Sequence, residues 1–325
     1  MFIYGLILSS LMRGIVGDMF LCENKIYKIQ YNHHPKKYFI AYPKYNVRKG
    51  KLIERIKDYK NLESNKFFRK INDSNIKLPL IPKSKIEEYY SSHKIGTLLE
   101  EDKKITFDYI KERLKQIGIN KVGLTGYFLL KSLGYKKIDD RLGDLDLVIT
   151  GKKNCLLLMN NKKKIYDKNF TSYKSRPIKI FKRRRKTMPY RIDYQTAKIF
   201  EAIKPIGIYK NYMHVNITPT IKSSKEIMDI SSFKIKNLGL IKTRITLENA
   251  KDIYSVPGYY KIHGVYKNKN ISLLRTTFFF YALCESDEKF EVCGNLLEEN
   301  TEKTKRYVLS MENFGDYKRY YMNIA

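Results

Sequence analysis

The stretch "LTGYFLLKSLGYKKIDDRLGDLDLVITG", residues 124–151, places a Thr-Gly turn before an apolar run and ends with two aspartates among strand-forming residues. The preceding "KVGLTG" predicts a short strand running into a turn. "YFLLKSLGY" predicts an apolar helix starting at Gly126 and Tyr127, and "GDLDLVIT" a second strand. Two residues apart on a strand, Asp144 and Asp146 project from one face, while Leu145, Leu147, Val148 and Ile149 supply the core. Two carboxylates side by side repel unless a cation sits between them, and the pair suits Mg²⁺ or Mn²⁺, hard cations that take oxygen ligands and keep some sites for substrate phosphates. A glycine at a strand-to-helix turn lets backbone approach a ligand, and the N–H groups of a helix start favour phosphate there. Thr125, Gly126 and Tyr127, which make this turn and helix start, are therefore expected to bind a triphosphate. A surface strand end carrying two solvated acids would show the same Asp-x-Asp pattern.

The order strand, Thr-Gly turn, helix and Gly-Asp-x-Asp strand resembles the nucleotidyltransferase superfamily related to DNA polymerase β, poly(A) polymerases and CCA-adding enzymes. The wider chain is similar to an uncharacterised archaeal branch of predicted nucleotidyltransferases. In the superfamily a Gly-Ser or Gly-Gly turn precedes the acidic strand; here Gly126 matches the first glycine, Gly143 the small residue before the acids, and Asp144 and Asp146 the metal pair, while Tyr127 departs from the small residue usual after the glycine. The resemblance implies an α+β fold whose nucleotidyltransferase core, a mixed sheet flanked by helices, lies between β-rich N-terminal and C-terminal modules. It implies transfer of a nucleoside monophosphate from a nucleoside triphosphate to a hydroxyl acceptor, with release of pyrophosphate and with ATP among the candidate nucleotides. It also implies a third carboxylate. Asp139 and Asp140 belong to a polar turn and Asp167 to a lysine-rich loop, whereas Asp193 in "PYRIDYQ" lies among β-formers at a suitable separation, so Asp193 is expected to complete the catalytic and metal-binding set with Asp144 and Asp146.

Outward from this core, "GDMFLCENKIYKIQYNHHPKKYFIAYPKYN" alternates apolar and polar residues between turn signals, predicting antiparallel strands with His33 and His34 as turn residues. "KLIERIKDYKNL" shows helical spacing, and "LPLIPKSKIEEYY", with two prolines, reads as a linker. Helical spacing with acids in the first turn predicts a helix over 101–117. The segments after residue 240 read as short strands of a small sandwich or OB-like barrel, with His214 and His263 as strand histidines. The expected division is a β-rich module and linker over 1–95, a catalytic domain over 96–240 and a β-rich domain over 241–325.

With 64 Lys+Arg against 33 Asp+Glu, a formal net charge of +31 over 325 residues gives a field that attracts polyanions, nucleic acid first. An AT-rich coding sequence would enrich Lys, Asn, Ile and Tyr in the same way, so charge alone does not name the partner. Arg183, Arg184 and Arg185 beside Phe181 and Tyr190 suit an RNA groove or a triphosphate, as arginine planes clamp phosphates and stack on bases; a merely solvated basic hairpin reads alike. The four cysteines form no C-x-x-C pair, which points away from a zinc knuckle and a disulfide framework and towards a reducing compartment. "MFIYGLILSSLM" is about half a membrane span long, so a cytoplasmic protein without an anchor is expected. An RNA-binding protein that has lost turnover is the alternative to the enzyme.

Overall fold

The computed structural model describes residues 12, 14–29, 31, 34–56, 66–70, 77–97, 99, 101–137, 144–172, 206–210, 212–220, 234–252, 258–276, 288–300, 305–311 and 321–324. They form two units: Met1–Tyr59 with Leu80–Tyr173 and Pro205–Met228, and Lys60–Pro79 with Lys174–Lys204 and Asp229–Ala325.

In the first unit, β1 (Met19–Cys22), β2 (Lys25–Ile29) and β3 (Tyr38–Arg48) make an antiparallel meander. Glu23 and Asn24 join β1 to β2, and Lys49 and Gly50 join β3 to β4 (Lys51–Arg55). All four have positive φ, the type I′ geometry whose twist matches a two-residue hairpin. β5 (Phe68–Lys70) pairs with the first half of β6 (Lys77–Pro82), both belonging to the second unit, while the second half of β6 pairs with β3 and β7 (Glu88–Tyr90) borders β1. The helix α1 (Glu101–Lys115) carries Glu101 and Asp102 in its first turn and Arg113 and Lys115 in its last, each favourable to the helix dipole. A second sheet runs β11 (Phe170–Ser172), β12 (Ile206–Tyr209), β13 (Met213–Thr220), β10 (Leu145–Thr150), β8 (Val122–Thr125), with β13 parallel to β10. Between its strands lie α2 (Tyr127–Ser132), β9 (Lys136–Lys137), which pairs with β4, and α3 (Lys152–Asn161).

Met19 and Ile26 of the meander and Leu52 of β4 pack in one hydrophobic core with Phe107, Ile110 and Leu114 of α1, Leu129 of α2 and Leu145, Leu147 and Ile149 of β10. A boundary at 95/96 therefore does not separate two cores. Among the described residues strand outweighs helix 56% to 19%, and they do not build the expected helix-flanked nucleotidyltransferase core between two β modules. Part of the difference lies in segments that tertiary pairing overrides. "KLIERIKDYKNL" opens as strand β4, and "LPLIPKSKIEEYY" holds β6 and β7 instead of a linker.

In the second unit, β14 (Lys234–Asp252), β15 (Gly258–Tyr266), β16 (Lys269–Thr276), β17 (Lys289–Asn300) and β18 (Lys305–Met311) close into a barrel. β14 is long enough to pair with β17 over Lys234–Thr246 and with β15 from Ile245 onward, and β16 meets β18 in parallel. The cyclic order, first-second-third-fifth-fourth, is that of an OB-type barrel; β19 (Tyr321–Ile324) adds to β17 from outside the ring. Glu299 lies 1% exposed between Arg275 and Arg306, whose Nη2 donates to its Oε2 at 2.8 Å. Burial works to raise the Glu299 carboxyl, and the two guanidiniums outweigh it and hold the group below its ordinary value.

Candidate active site

β10 delivers the aspartates as its alternation dictates. Leu145, Leu147, Val148 and Ile149 are fully buried, Asp144 just before the strand is exposed, and Asp146 is half-buried. Asn216 of β13 is the register partner of Asp146, and its Nδ2 donates to Asp144 Oδ2 at 3.3 Å and to Asp146 Oδ1 at 3.0 Å. The two carboxylates thus converge on a single atom. Opposite, Asp146 pairs with Thr125 of β8, and the turn continues through Gly126 at φ +71°, ψ −149°, a conformation L-residues avoid. A Cβ on Gly126 would stand 3.0 Å from Asp146 Oδ2, so the glycine is what lets the backbone lie against this carboxylate.

The meander also borders the site. Thr125 Oγ1 donates to Gly17 O at 2.6 Å, and a Cβ on Gly17 would lie 2.7 Å from Val148 Cγ2. Burial raises the Asp146 carboxyl above its ordinary value; Lys28 opposes this first, then the Asn216 hydrogen bond, while Asp144 adds to it and Lys44 subtracts. Lys44 is itself pushed down to about 8 by burial and by Arg55, against the pull of Asp146. Lys44 is a residue inserted in β3: Ile26 faces Tyr45 and Tyr27 faces Pro43, which leaves Lys44 as the extra residue of a β-bulge.

Of the residues expected from sequence, the structure brings Asp144, Asp146 and Gly126 together. Thr125 is in place, but it is 2% exposed and its hydroxyl is engaged by Gly17 O. Tyr127 opens a helix of six residues, too short to supply the phosphate site expected at its start, and its ring neighbours Phe128 and Lys131 Nζ. Gly143, Asp193 and Arg183 to Arg185 lie outside the described residues, as do Asp139, Asp140, His33 and Cys284. Asp167 receives the hydroxyl of Tyr109 and the backbone N–H of Phe170, a structural role. His34 lies in the connection between β2 and β3, as expected, but is buried there, with Nε2 at 2.8 Å from Gly14 O and Nδ1 accepting from Ile40 N at 3.0 Å. Cys22, Cys155 and Cys293 are buried thiols.

Sequence reasoning missed Asn216, Lys28 and Lys44. Asn216 stands at a polar position in the alternation of "MHVNITPT", but only the parallel register ties it to Asp146. Among the described residues no group of three His, Cys, Asp or Glu side chains could hold a metal. Two carboxylates whose oxygens converge on the amide of Asn216 are nevertheless a donor set that Mg²⁺ accepts, because that ion commonly takes one or two carboxylates and completes its shell with water and phosphate. Among the described residues no helix is long and apolar enough to cross a membrane. None of the known protein families, curated proteins or solved structures compared with the chain matches it.

Proposed function

We propose that the Asp144–Asp146 site carries out metal-dependent nucleotidyl transfer, with a nucleoside triphosphate as donor and a hydroxyl as acceptor, an RNA end first and a protein or small molecule otherwise. The observation that carries the reading is the convergence of Asp144 Oδ2 and Asp146 Oδ1 on Asn216 Nδ2, beside a turn that only glycine fits comfortably. Asp144 and Asp146 would hold Mg²⁺ or Mn²⁺, which when bound neutralises charge building on the phosphates and favours the ionised acceptor. The acceptor oxygen bonds to the α-phosphorus, pyrophosphate leaves, and the hydroxyl proton passes to a carboxylate, the role proposed for Asp193. Gly126 keeps the turn clear of the Asp146 carboxylate, and half-burial keeps that carboxylate poorly hydrated and ready for a cation. The cytoplasm, which holds both nucleotide and RNA, is the compartment this reading proposes.

The RNA partner draws support from the barrel. Lys267 Nζ lies over the Tyr266 ring at 5.6 Å, and Lys269 and Lys305 lie over Tyr307 at 5.6 and 5.8 Å. Tyrosines capped by ammonium groups suit stacked bases and their phosphates, and the guanidiniums of Arg183 to Arg185 would suit phosphates in the same way. A second reading, an RNA-binding protein without turnover, is favoured by Asn216, a neutral amide occupying the place beside Asp146 where a further carboxylate could act.

Incubating the protein with labelled nucleotides, Mg²⁺ or Mn²⁺ and a panel of tRNA, oligonucleotide, protein and small-molecule acceptors separates the two. Label transfer that chelator and Asp144→Asn both abolish supports the enzyme. Salt-dependent RNA binding with no label incorporated on any acceptor supports the second reading.

A further inference from the structure

One end of the barrel carries a row of side chains that nucleotidyl transfer does not use. Lys267 and Asn268, both at positive φ, make a two-residue turn, so Tyr266 and Lys269 close the β15–β16 hairpin as register partners and share a face. Ile271, two residues beyond Lys269 on that face, is buried and is the register partner of Tyr307 on β18. Lys305 precedes Tyr307 by two residues and shares the face as well. Register thus lines up Tyr266, Lys269, Tyr307 and Lys305 across three neighbouring strands, at a rim beyond the buried Ile271. Both rings are partly exposed, and Lys267 and Lys305 are exposed. Lys267 Nζ stands 5.6 Å from the centre of the Tyr266 ring, while Lys269 and Lys305, at 5.6 and 5.8 Å, bring two like charges to the one ring of Tyr307. One acid enters the row: Glu298, the register partner of Tyr307, takes Lys305 Nζ at 3.1 Å and Asn300 Nδ2 at 3.2 Å. An exposed ion pair of this kind holds its lysine weakly, so a phosphate can compete for Lys305. An ammonium over an exposed ring is likewise held less strongly than a stacked base. A base can therefore take the ring, and the displaced ammonium moves to the phosphate beside it. Bases in a duplex already stack on one another and would leave the rings unused.

We propose that the barrel rim formed by Tyr266, Lys269, Tyr307 and Lys305 binds an unpaired polynucleotide strand, with one base stacked on each tyrosine and the phosphate between them on Lys269. The two tyrosines stand about two strand spacings apart, ~10 Å, with Lys269 on the strand between them. For the kind of strand this rests on the RNA partner of the reading above, but strand binding is measured without turnover. Lysine acts on phosphate as a point charge, so it tolerates a chain of any sequence.

The test uses the full-length protein and the fluorescence anisotropy of labelled oligouridylate of about 12 nucleotides, a length one such barrel can cover. Oligothymidylate, a duplex of equal length and inorganic polyphosphate are the comparison ligands. Tyr266→Ala and Tyr307→Ala should each weaken oligouridylate binding about tenfold, and Tyr307→Phe, which keeps the ring, should bind as wild type. Lys269→Gln should flatten the slope of log affinity against log salt by about one. Tyr212→Ala, at an exposed tyrosine of the other unit, should leave affinity unchanged. Circular dichroism and melting temperature establish that each variant is folded; if Tyr307→Ala is not, Tyr307→Leu, which keeps bulk without a π face, replaces it. Wild-type strand affinity in both Ala variants overturns the platform, even if the protein transfers nucleotide. Equal loss in Tyr212→Ala, equal affinity for the duplex, or competition by polyphosphate as effective as by unlabelled strand overturns it too. Selective loss at Tyr266 and Tyr307 without label transfer keeps the platform and removes the transfer reading. Tighter binding of oligothymidylate than of oligouridylate keeps the platform and removes RNA as its strand.

Discussion

Gly126→Ala tests the site's geometry most directly, because the structure separates its two consequences. At φ +71°, ψ −149° the backbone lies in a region open essentially to glycine, and forcing an L-residue into it costs about 1–3 kcal/mol. For a cooperative unit of 150–250 residues each kcal/mol lowers the melting temperature by about 2–4 °C, so a mid-range cost of about 2 kcal/mol predicts a fall of roughly 4–8 °C. The new Cβ would also stand 3.0 Å from Asp146 Oδ2, and the carboxylate must give way by a few tenths of an ångström. That movement disturbs the 3.0 Å bond from Asn216 and the point on which the two acids converge. Gly151→Ala supplies the control: its φ is +98°, but a Cβ there meets nothing within 4 Å. Both variants should melt early, and only Gly126→Ala should lose Mn²⁺ affinity, read by titration calorimetry or paramagnetic resonance. If Gly126→Ala melts with the wild type and binds Mn²⁺ equally well, the reasoning fails on both counts. If Gly151→Ala loses Mn²⁺ affinity as well, the effect is backbone strain and not the carboxylate.

Other variants probe the same physics elsewhere. The folded Asp146 carboxyl sits above 3.8, so the stability it contributes is whole below that pH and is lost as pH rises through its folded value; Asp146→Asn in chelator should therefore melt higher than wild type at pH 7 and converge with it near pH 3.5, and a lower melting point at pH 7 would refute the burial argument. Asn216→Asp adds a third carboxylate and should tighten Mn²⁺ binding about tenfold or more, whereas weaker binding would show that the amide, not a cation, is what the two acids require. Asp193→Asn should abolish transfer while leaving fold and nucleotide binding intact, and a fully active variant removes Asp193 from the mechanism. Glu299→Ala strands Arg275, which is 7% exposed, and should cost the barrel about 3–5 kcal/mol in denaturant unfolding; a loss below about 1 kcal/mol would mean the triad is not a buried pair in effect.

What sequence could show was decided by the range of the interaction concerned. The meander was legible because alternation and the Glu23-Asn24 turn are local, and α1 because its acids and periodic apolar residues occupy one short window. β4 was not, since Leu52 is its one buried residue and Lys49-Gly50 is a weaker turn signal than Asn-Gly. β6 was misread through Pro79 and Pro82, but each half of that strand is paired on one side only, with β5 or with β3, so a proline can sit there without breaking a ladder on both sides. The two aspartates announced themselves, as acids in an apolar strand must. The partner that joins them did not, because Asn216 lies 70 residues away and meets Asp146 only through the parallel register of β10 and β13, which no local periodicity encodes.

The parallel pairing of β10 with β13 also sets an order of events during synthesis. Among the described strands β10 leaves the ribosome with β8 as its available neighbour, and the edge that β13 will pair stays open until some 70 more residues have been made. At about 5–20 residues per second that interval is roughly 4–14 s. Throughout it the aspartates have no Asn216 between them, and the strand beside them is an unpaired edge of the kind that recruits other chains. A ribosome stalled in this interval should hold a nascent chain that chaperones bind, and release of that chain should follow completion of β13 instead of the end of translation.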